Sequence, residues 1–372
     1  MISGKEEFYQ LVDEGRQGHN IGLSTGSTKL DTYMDGVLPG TSYLIGGLSG
    51  VSKSTFTLWA FVYQPLTHYL AGECQERDPH WILFSLEMTR PQVYAKLLSM
   101  YIFDNYGEEI RFKEIFSRGK DTILTDSHFE LLRDCESFLD ILDERLVFFE
   151  GSLTEDRYLK TMNQELKKYG KWEDNIFHPF NPHQFIGVII DHVSLIKASS
   201  GKTKKDEMDA ISRDSVMLRN VTKIISPIHV AQFNRSSSSD ERLKQGMQDP
   251  SSADYKDTGA IYEDSQVVIA LHSPHKFKLT SYKKYNIKEL EQIFIAVFLL
   301  KSRFGTSDVA IPLAFYGDCS QYRELPKPSE ITDYEIYKTP FWSLRNDNVV
   351  NNEIDKTQED SKRKKSKFDY SL

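Results

Sequence analysis

The chain has 372 residues, 39% of them hydrophobic, and a formal net charge of −8, which suits one large or two average domains with a substantial core. It has no apolar run of about 18 residues or more, and its start, Met-Ile-Ser-Gly-Lys-Glu-Glu, lacks the pattern of a signal peptide, so no membrane association and an intracellular, cytoplasmic protein are expected. Cys74, Cys135 and Cys319 are widely spaced and odd in number, which supports neither a disulfide framework nor a zinc site, so they read as ordinary thiols, and the acidic balance means that any nucleic-acid contact must be local.

Residues 4–16 form an amphipathic segment with Phe8, Leu11 and Val12 on one side. A helix this short needs a surface to pack on, either its own domain or a neighbouring subunit. Residues 21–40 then lead into Leu44-Ile-Gly-Gly-Leu-Ser-Gly-Val-Ser-Lys-Ser-Thr-Phe56. Here an apolar strand meets a glycine-rich turn and a helix carrying Leu58, Trp59 and Val62. That is the context of a phosphate-binding P-loop, in which backbone N–H groups and the helix N-terminus face a polyphosphate. Gly47, Ser49, Gly50, Val51, Ser52, Lys53, Ser54 and Thr55 are the candidate nucleotide-binding residues, with Lys53 on the β/γ-phosphates and the Ser54 hydroxyl on Mg²⁺. Ser52 stands where the motif has its second glycine. If that position needs φ > 0, the serine carries a strain of about 1 kcal/mol. The alternative is a glycine-rich turn with a chance lysine.

Trp81-Ile-Leu-Phe-Ser-Leu86 reads as a buried strand, followed by Glu87 and by a helix with Thr89 as N-cap, Pro91 in its first turn, and Val93, Leu97, Leu98 and Tyr101 along it. A carboxylate at the C-terminal tip of a parallel strand lies on the ligand-binding edge of a sheet, so Glu87 can polarise a water; it can equally be a helix-capping charge. Residues 104–144 read as polar and helical, 146–149 as a strand and 155–169 as a helix. Phe185-Ile-Gly-Val-Ile-Ile-Asp191 has the pattern of a strand buried on both faces with an acid at its tip, which suits Asp191 to holding Mg²⁺ or its water shell.

Residues 197–205, with Lys204 and Lys205 at their end, read as a mobile basic loop or a solvated charge run. A helix with Ile211, Leu218, Val221 and Ile225 on one face follows, then a strand from Ile228 to Ala231 ending in Gln232. Gln232 can sense a γ-phosphate or merely cap its strand. Residues 236–252 read as a long polar loop. Strands are expected over 266–271, 294–300 and 309–315, the last on an edge because it holds Pro312, with a lysine- and tyrosine-rich hairpin over 273–290. From about 345 the charged composition predicts disorder.

The ordered set Gly47…Lys53-Ser54, Phe84-Ser-Leu-Glu87-Met, Ile190-Asp191, Gln232-Phe-Asn-Arg235, Ser252-Ala-Asp254…Gly259-Ala-Ile and Lys301-Ser-Arg303-Phe-Gly305 resembles the RecA-like C-terminal domain of DnaB-family replicative helicases over about residues 21–320. The resemblance implies an α/β fold of the P-loop NTPase type, a mainly parallel twisted sheet with helices on both faces. It divides the chain into a linker helix (1–20), the RecA-like domain (21–325) and a C-terminal extension (326–372). Lys53, Ser54, Glu87, Asp191 and Gln232 would then serve ATP and Mg²⁺, with Glu87 the catalytic base. Lys301 and Arg303 would act in trans on the neighbouring subunit's nucleotide, Arg303 as an arginine finger. Lys256, Asp257 and Gly259 would grip single-stranded DNA, with Arg235, Lys204 and Lys205 as further DNA contacts. Residues 4–16 would dock on the next subunit of a hexameric ring.

Family members usually carry a helical N-terminal domain before that linker, whereas this sequence starts almost at the linker. His192, where the family more often has an aromatic residue, reads as a packing variant. The expected activity is that of an ATP-driven helicase or translocase of DNA replication in a bacterial cell or a virus-infected one, with primase and a helicase loader as further partners. The competing readings are a DNA-binding RecA- or KaiC-like ATPase, and a non-hydrolysing accessory protein whose P-loop has degenerated at Ser52.

Overall fold

The computed structural model describes residues 3–74, 77–174, 176–234 and 249–344. Thirteen strands occur among them: β1 Tyr43–Gly47, β2 Asp78–Ser85, β3 Leu146–Glu150, β4 Gly170–Glu173, β5 Ile176–Pro179, β6 Gln184–Asp191, β7 Ile225–Gln232, β8 Val267–His272, β9 Ser281–Tyr282, β10 Tyr285–Asn286, β11 Phe294–Ser302, β12 Val309–Tyr316 and β13 Gln321–Glu324. Nine of them form one sheet in the order β13-β12-β11-β8-β1-β7-β6-β2-β3. From β8 to β3 all neighbours are parallel, while β11, β12 and β13 join antiparallel.

The central strands are apolar throughout because helices cover both faces. Tyr43 and Ile45 of β1 face one core with Phe56, Trp59 and Leu97, and Leu44 faces the other with Tyr158, Ile211 and Leu218. This is the α/β sheet with two covered faces that the sequence predicts.

The P-loop helix starts over Lys53–Leu58, widens into a π-turn over Trp59–Tyr63 and continues over Gln64–Leu70. Pro65 explains the break, since it has no N–H for the carbonyl four residues back, that of Phe61. The indole of Trp81 on β2 donates to that carbonyl at 2.6 Å. Trp81 in turn needs Gly187 opposite it on β6, where a Cβ would lie 2.5 Å from the indole.

Several expectations are corrected. The helix after β6 begins at Lys204, not beyond a loop, because Thr203 caps it through the backbone N–H of Asp206. It ends at Thr222, where Lys223 turns left-handed at φ 60. Val221 is therefore on an exposed face and Ile225 belongs to β7. Strand β12 is not the edge, because β13 lies outside it. That strand pairs only with residues 313–316, so Pro312 stands just past the ladder, where its missing N–H costs nothing and its carbonyl accepts from Leu325.

The 104–144 region is helical only in part, with helices over Phe112–Ile115, Asp126–Asp134 and Glu136–Arg145. The β4–β5 hairpin has no counterpart in the sequence reading. Residues 326–344 of the C-terminal extension pack on the body, with Tyr337 taking a hydrogen bond from Tyr316 and Trp342 donating to the same tyrosine. The charged tail and most of the 236–252 loop lie outside the described residues.

Candidate functional site

The C-terminal ends of β1, β7, β6 and β2 lie side by side, and that edge gathers Gly47, Lys53, Ser54, Glu87, Asp191 and Gln232. Register sets Gly47 opposite Gln232 on β7, and Ser85 opposite Asp191 on β6. Glu87 follows two residues after β2 ends, on an exposed turn tied to β6 by the Leu86 N–H donating to the Asp191 carbonyl at 2.6 Å. The next helix, Arg90–Tyr106, starts at Thr89 as predicted and carries Lys96.

Ser54 Oγ donates to Asp191 Oδ1 at 3.0 Å. Asp191 is 3% exposed. Burial, with Glu87 nearby, raises its carboxyl to about 6, against the Ser54 hydrogen bond and the cations of Lys53 and Lys96. Lys53 is 7% exposed, and its ammonium donates to the Leu48 carbonyl at 3.0 Å. Burial pushes it down to about 8, against the pull of Asp191 and Glu87.

Ser52 adopts φ 59 and ψ 36, the left-handed geometry that favours glycine, and Gly50 also has positive φ, +72. Two side chains that sequence reasoning missed hold this turn from outside. Lys276 donates to the Ser49 carbonyl at 2.6 Å, and Tyr322 of β13 donates to the Ser52 carbonyl at 3.1 Å. A third missed residue, Lys96, donates to Thr55 Oγ1 at 3.0 Å and is pushed down in pKa by burial, against Asp191. No local motif announces any of the three, since each reaches the turn from a distant element.

Two cavities at this edge share Gly317 and Asp318. One, of about 660 Å³, opens beside Gly50 and Ser52 and is lined by Lys276, Phe315 and residues 338–340 of the extension. The other, of about 690 Å³, opens at Glu87 and is lined by Lys96, Arg111 and Lys113. The donor set fits a magnesium polyphosphate: a hydroxyl and a carboxylate supply hard oxygen ligands, and the ammonium groups of Lys53, Lys96 and Lys276 surround the turn.

The predicted DNA-contacting segment is one layer away. Phe233, after Gln232, donates its N–H to the Gly47 carbonyl at 3.1 Å, and Asn234 donates to the Asp254 carbonyl at 3.1 Å. Beyond, Tyr255 is buried against β1 so tightly that a Cβ on Gly46 would lie 2.3 Å from its ring, while Lys256 and Asp257 are exposed and Gly259 is half-buried. Lys204 is not on a loop: it stands in the first turn of its helix and donates to the Ser194 carbonyl, with exposed Lys205 beside it. Arg235 lies outside the described residues. His192 is buried, and its Nδ1 accepts from the Ser194 N–H at 3.3 Å.

Lys301 and Arg303 are not brought to this edge. Lys301 is in register with Val268 and hence with Leu44, and Arg303 donates its N–H to the Gln266 carbonyl. Both therefore sit at the opposite end of the sheet, with Arg303 about 16 Å from Gly47 along the strand direction alone. Lys301 donates to the Tyr262 and Glu263 carbonyls, each at 3.0 Å, at the end of the helix Gly259–Asp264.

Residues 153–324 match the family model of the DnaB-like helicase C-terminal domain. The match begins after the P-loop and takes in Asp191, Gln232, Lys301 and Arg303. The replicative DNA helicase DnaB of Helicobacter pylori is 23% identical over 305 residues, 78% of this chain and 54% of that protein. DnaB of Mycoplasma genitalium is 24% identical over 336 residues, 88% and 62% respectively. The chain thus spans somewhat over half the length of these relatives. Among solved structures, the ATPase domain of G40P aligns with a TM-score of 0.64 at 16% identity, covering 87% of this chain and 99% of that one. A DnaB-like replicative helicase whose interactions with primase were described aligns with a TM-score of 0.65 at 18% identity, covering 87% and 69%. Residues 153–324 thus resemble the DnaB-like helicase C-terminal domain, and the chain shares the α/β fold of the ATPase domains to which it aligns.

Proposed function

We propose that this chain is the motor of a ring-forming, ATP-dependent DNA helicase or translocase that acts on single-stranded DNA in replication. The observation that carries this reading is the division of charged groups between the two ends of one sheet. Lys53, Ser54, Glu87 and Asp191 share one end, and Lys301 and Arg303 stand at the other. In this arrangement Lys301 and Arg303 stand too far from their own P-loop to serve it, and act instead on the nucleotide of a second copy.

In this reading Lys53 and the amides of the turn bind the phosphates of ATP. Ser54 and Asp191 would hold Mg²⁺, which supplies charge neutralisation between the phosphates. Glu87 orients and deprotonates the attacking water. Gln232 passes the state of the site through Phe233 and Asn234 to the segment carrying Lys256, Asp257 and Gly259, which grips the DNA backbone; Lys204 and Lys205 add positive charge, and Arg235 is a further candidate contact. Contacts of this kind are largely electrostatic and weaken with salt.

The exposed apolar face of the helix Gly4–Arg16, with Phe8 60% and Leu11 53% accessible, supports docking on the next subunit of a hexameric ring. Primase and a helicase loader are the partners that this reading adds, in the cytoplasm of a bacterial or virus-infected bacterial cell. No helix among the described residues is long and apolar enough to cross a membrane. Ser52 keeps the alternative of a non-hydrolysing accessory protein in view, but its left-handed geometry preserves the turn and so favours a working P-loop.

The test is ATP hydrolysis with and without single-stranded DNA, beside an Arg303→Ala protein. Hydrolysis stimulated by DNA and lost in the variant is the expected result. Nucleotide binding without hydrolysis by the wild type would replace this reading with the accessory one.

A further inference from the structure

Ser52 has a β-carbon in a left-handed turn, a conformation that an L-residue adopts only under strain. Its carbonyl accepts two donors, the Phe56 N–H at 2.8 Å, which closes the first turn of the P-loop helix, and the Tyr322 hydroxyl at 3.1 Å. The second bond spans 270 positions of the chain.

The ring of Tyr322 is fully buried. It stacks on Phe315 at 4.6 Å, meets Phe56 edge-on at 5.5 Å and lies 5.2 Å from Trp59. Phe56 and Trp59 belong to the P-loop helix and its π-turn, so the aromatic clamp fixes the ring relative to that helix. A phenylalanine would fill the same clamp, and the hydroxyl is the part that reaches the turn. Burial holds the phenol well above its ordinary pKa, so it remains a donor at any physiological pH.

We propose that Tyr322 is a positioning residue of the nucleotide site: its hydroxyl holds the Ser52 carbonyl and lets a serine keep the turn that a glycine adopts unaided. The Lys53, Ser54 and Thr55 amides, which start the helix next to Ser52, keep their shared orientation as a result. This inference rests on the nucleotide reading of the P-loop, deepens it, and gives the substitution at Ser52 a structural counterpart on a distant strand. Lys276 holds the turn at Ser49 independently.

The test compares wild type, Tyr322→Phe, Ser52→Gly and the double variant by two measurements. One is hydrogen exchange of the amides of residues 50–56 without nucleotide, and the other is the affinity for a non-hydrolysable ATP analogue with Mg²⁺. Losing one hydrogen bond on a strained turn is expected to speed exchange and weaken affinity roughly tenfold in Tyr322→Phe. In the Ser52→Gly background the same change is expected to matter by about twofold or less, because glycine needs no support there. Wild-type behaviour of Tyr322→Phe overturns the inference. So does an equal loss in both backgrounds, which marks the hydroxyl as a general packing element. A wild type that shows the exchange pattern but binds no nucleotide overturns the nucleotide reading and leaves the role of Tyr322 in the turn standing.

Discussion

The hydroxyl of Ser54 and the carboxylate of Asp191 meet at 3.0 Å across 137 positions of sequence, joining the first turn of the P-loop helix to the tip of β6. Two oxygen ligands so placed suit Mg²⁺. Ser54→Ala and Asp191→Asn are each expected to lower Mg²⁺-dependent ATP hydrolysis by roughly 100-fold. Steady-state hydrolysis against Mg²⁺ concentration checks this, and rates within tenfold of wild type for both would remove the pair from the site.

Lys96 is a second, half-buried cation beside Asp191. Lys96→Met keeps most of its volume and removes its charge, so hydrolysis is expected to fall about tenfold or more. Thermal stability should hold or rise, because even partial burial of an ammonium is costly. A variant with wild-type turnover would reduce Lys96 to a support for Thr55.

The distance between Arg303 and its own P-loop predicts complementation. Arg303→Ala and Lys53→Ala should each be nearly inactive, with Arg303→Ala down about 10³-fold. Mixed before assembly, they should recover part of the activity, because some interfaces then pair an intact P-loop with an intact arginine. An absence of recovery in mixtures that demonstrably co-assemble would place Arg303 outside the neighbour's site.

Phe8 and Leu11 face solvent on the first helix. Replacing both with Asp is expected to reduce the assembly to smaller species in light scattering, while thermal stability changes by less than about 0.5 kcal/mol, as for surface changes generally. Persistence of the full assembly would mean that the helix is not an interface.

His229, in the middle of β7, is fully buried, and burial lowers its pKa to about 4 from an ordinary value near 6.5. The unfolded chain binds this proton more readily than the folded one. The stabilisation is therefore complete above pH 6.5 and is lost as pH falls toward 4, by about 3 kcal/mol in all. Urea unfolding of wild type and His229→Asn across that range should show a shallower acid slope in the variant.

Strands and their tips were largely legible in the sequence, because a strand covered on both faces is written as an uninterrupted apolar run, and Asp191 ends such a run. The start of the 204–222 helix was legible in principle through Thr203 and Asp206 but was outweighed by the lysines around them. Strand β13 was not: Gln-Tyr-Arg-Glu has no apolar alternation and pairs over only four residues, which leaves Pro312 as the sole edge signal in the sequence. Tyr322, Lys276 and Lys96 were invisible for a different reason. Each acts on the P-loop through a contact formed only when distant elements meet, and nothing in its own neighbourhood encodes that.

Trp81 and Phe61 carry one more consequence. The helix that starts with Lys53 and the strand that leads to Glu87 are bolted together midway by an indole bonded to the carbonyl that Pro65 cannot serve. Like the riveted arms of a caliper, the two are held at a set gauge, so the spacing between the lysine and the glutamate is a property of the resting domain. Motion during turnover is then directed away from that gauge, toward Gln232 and the segment beyond it.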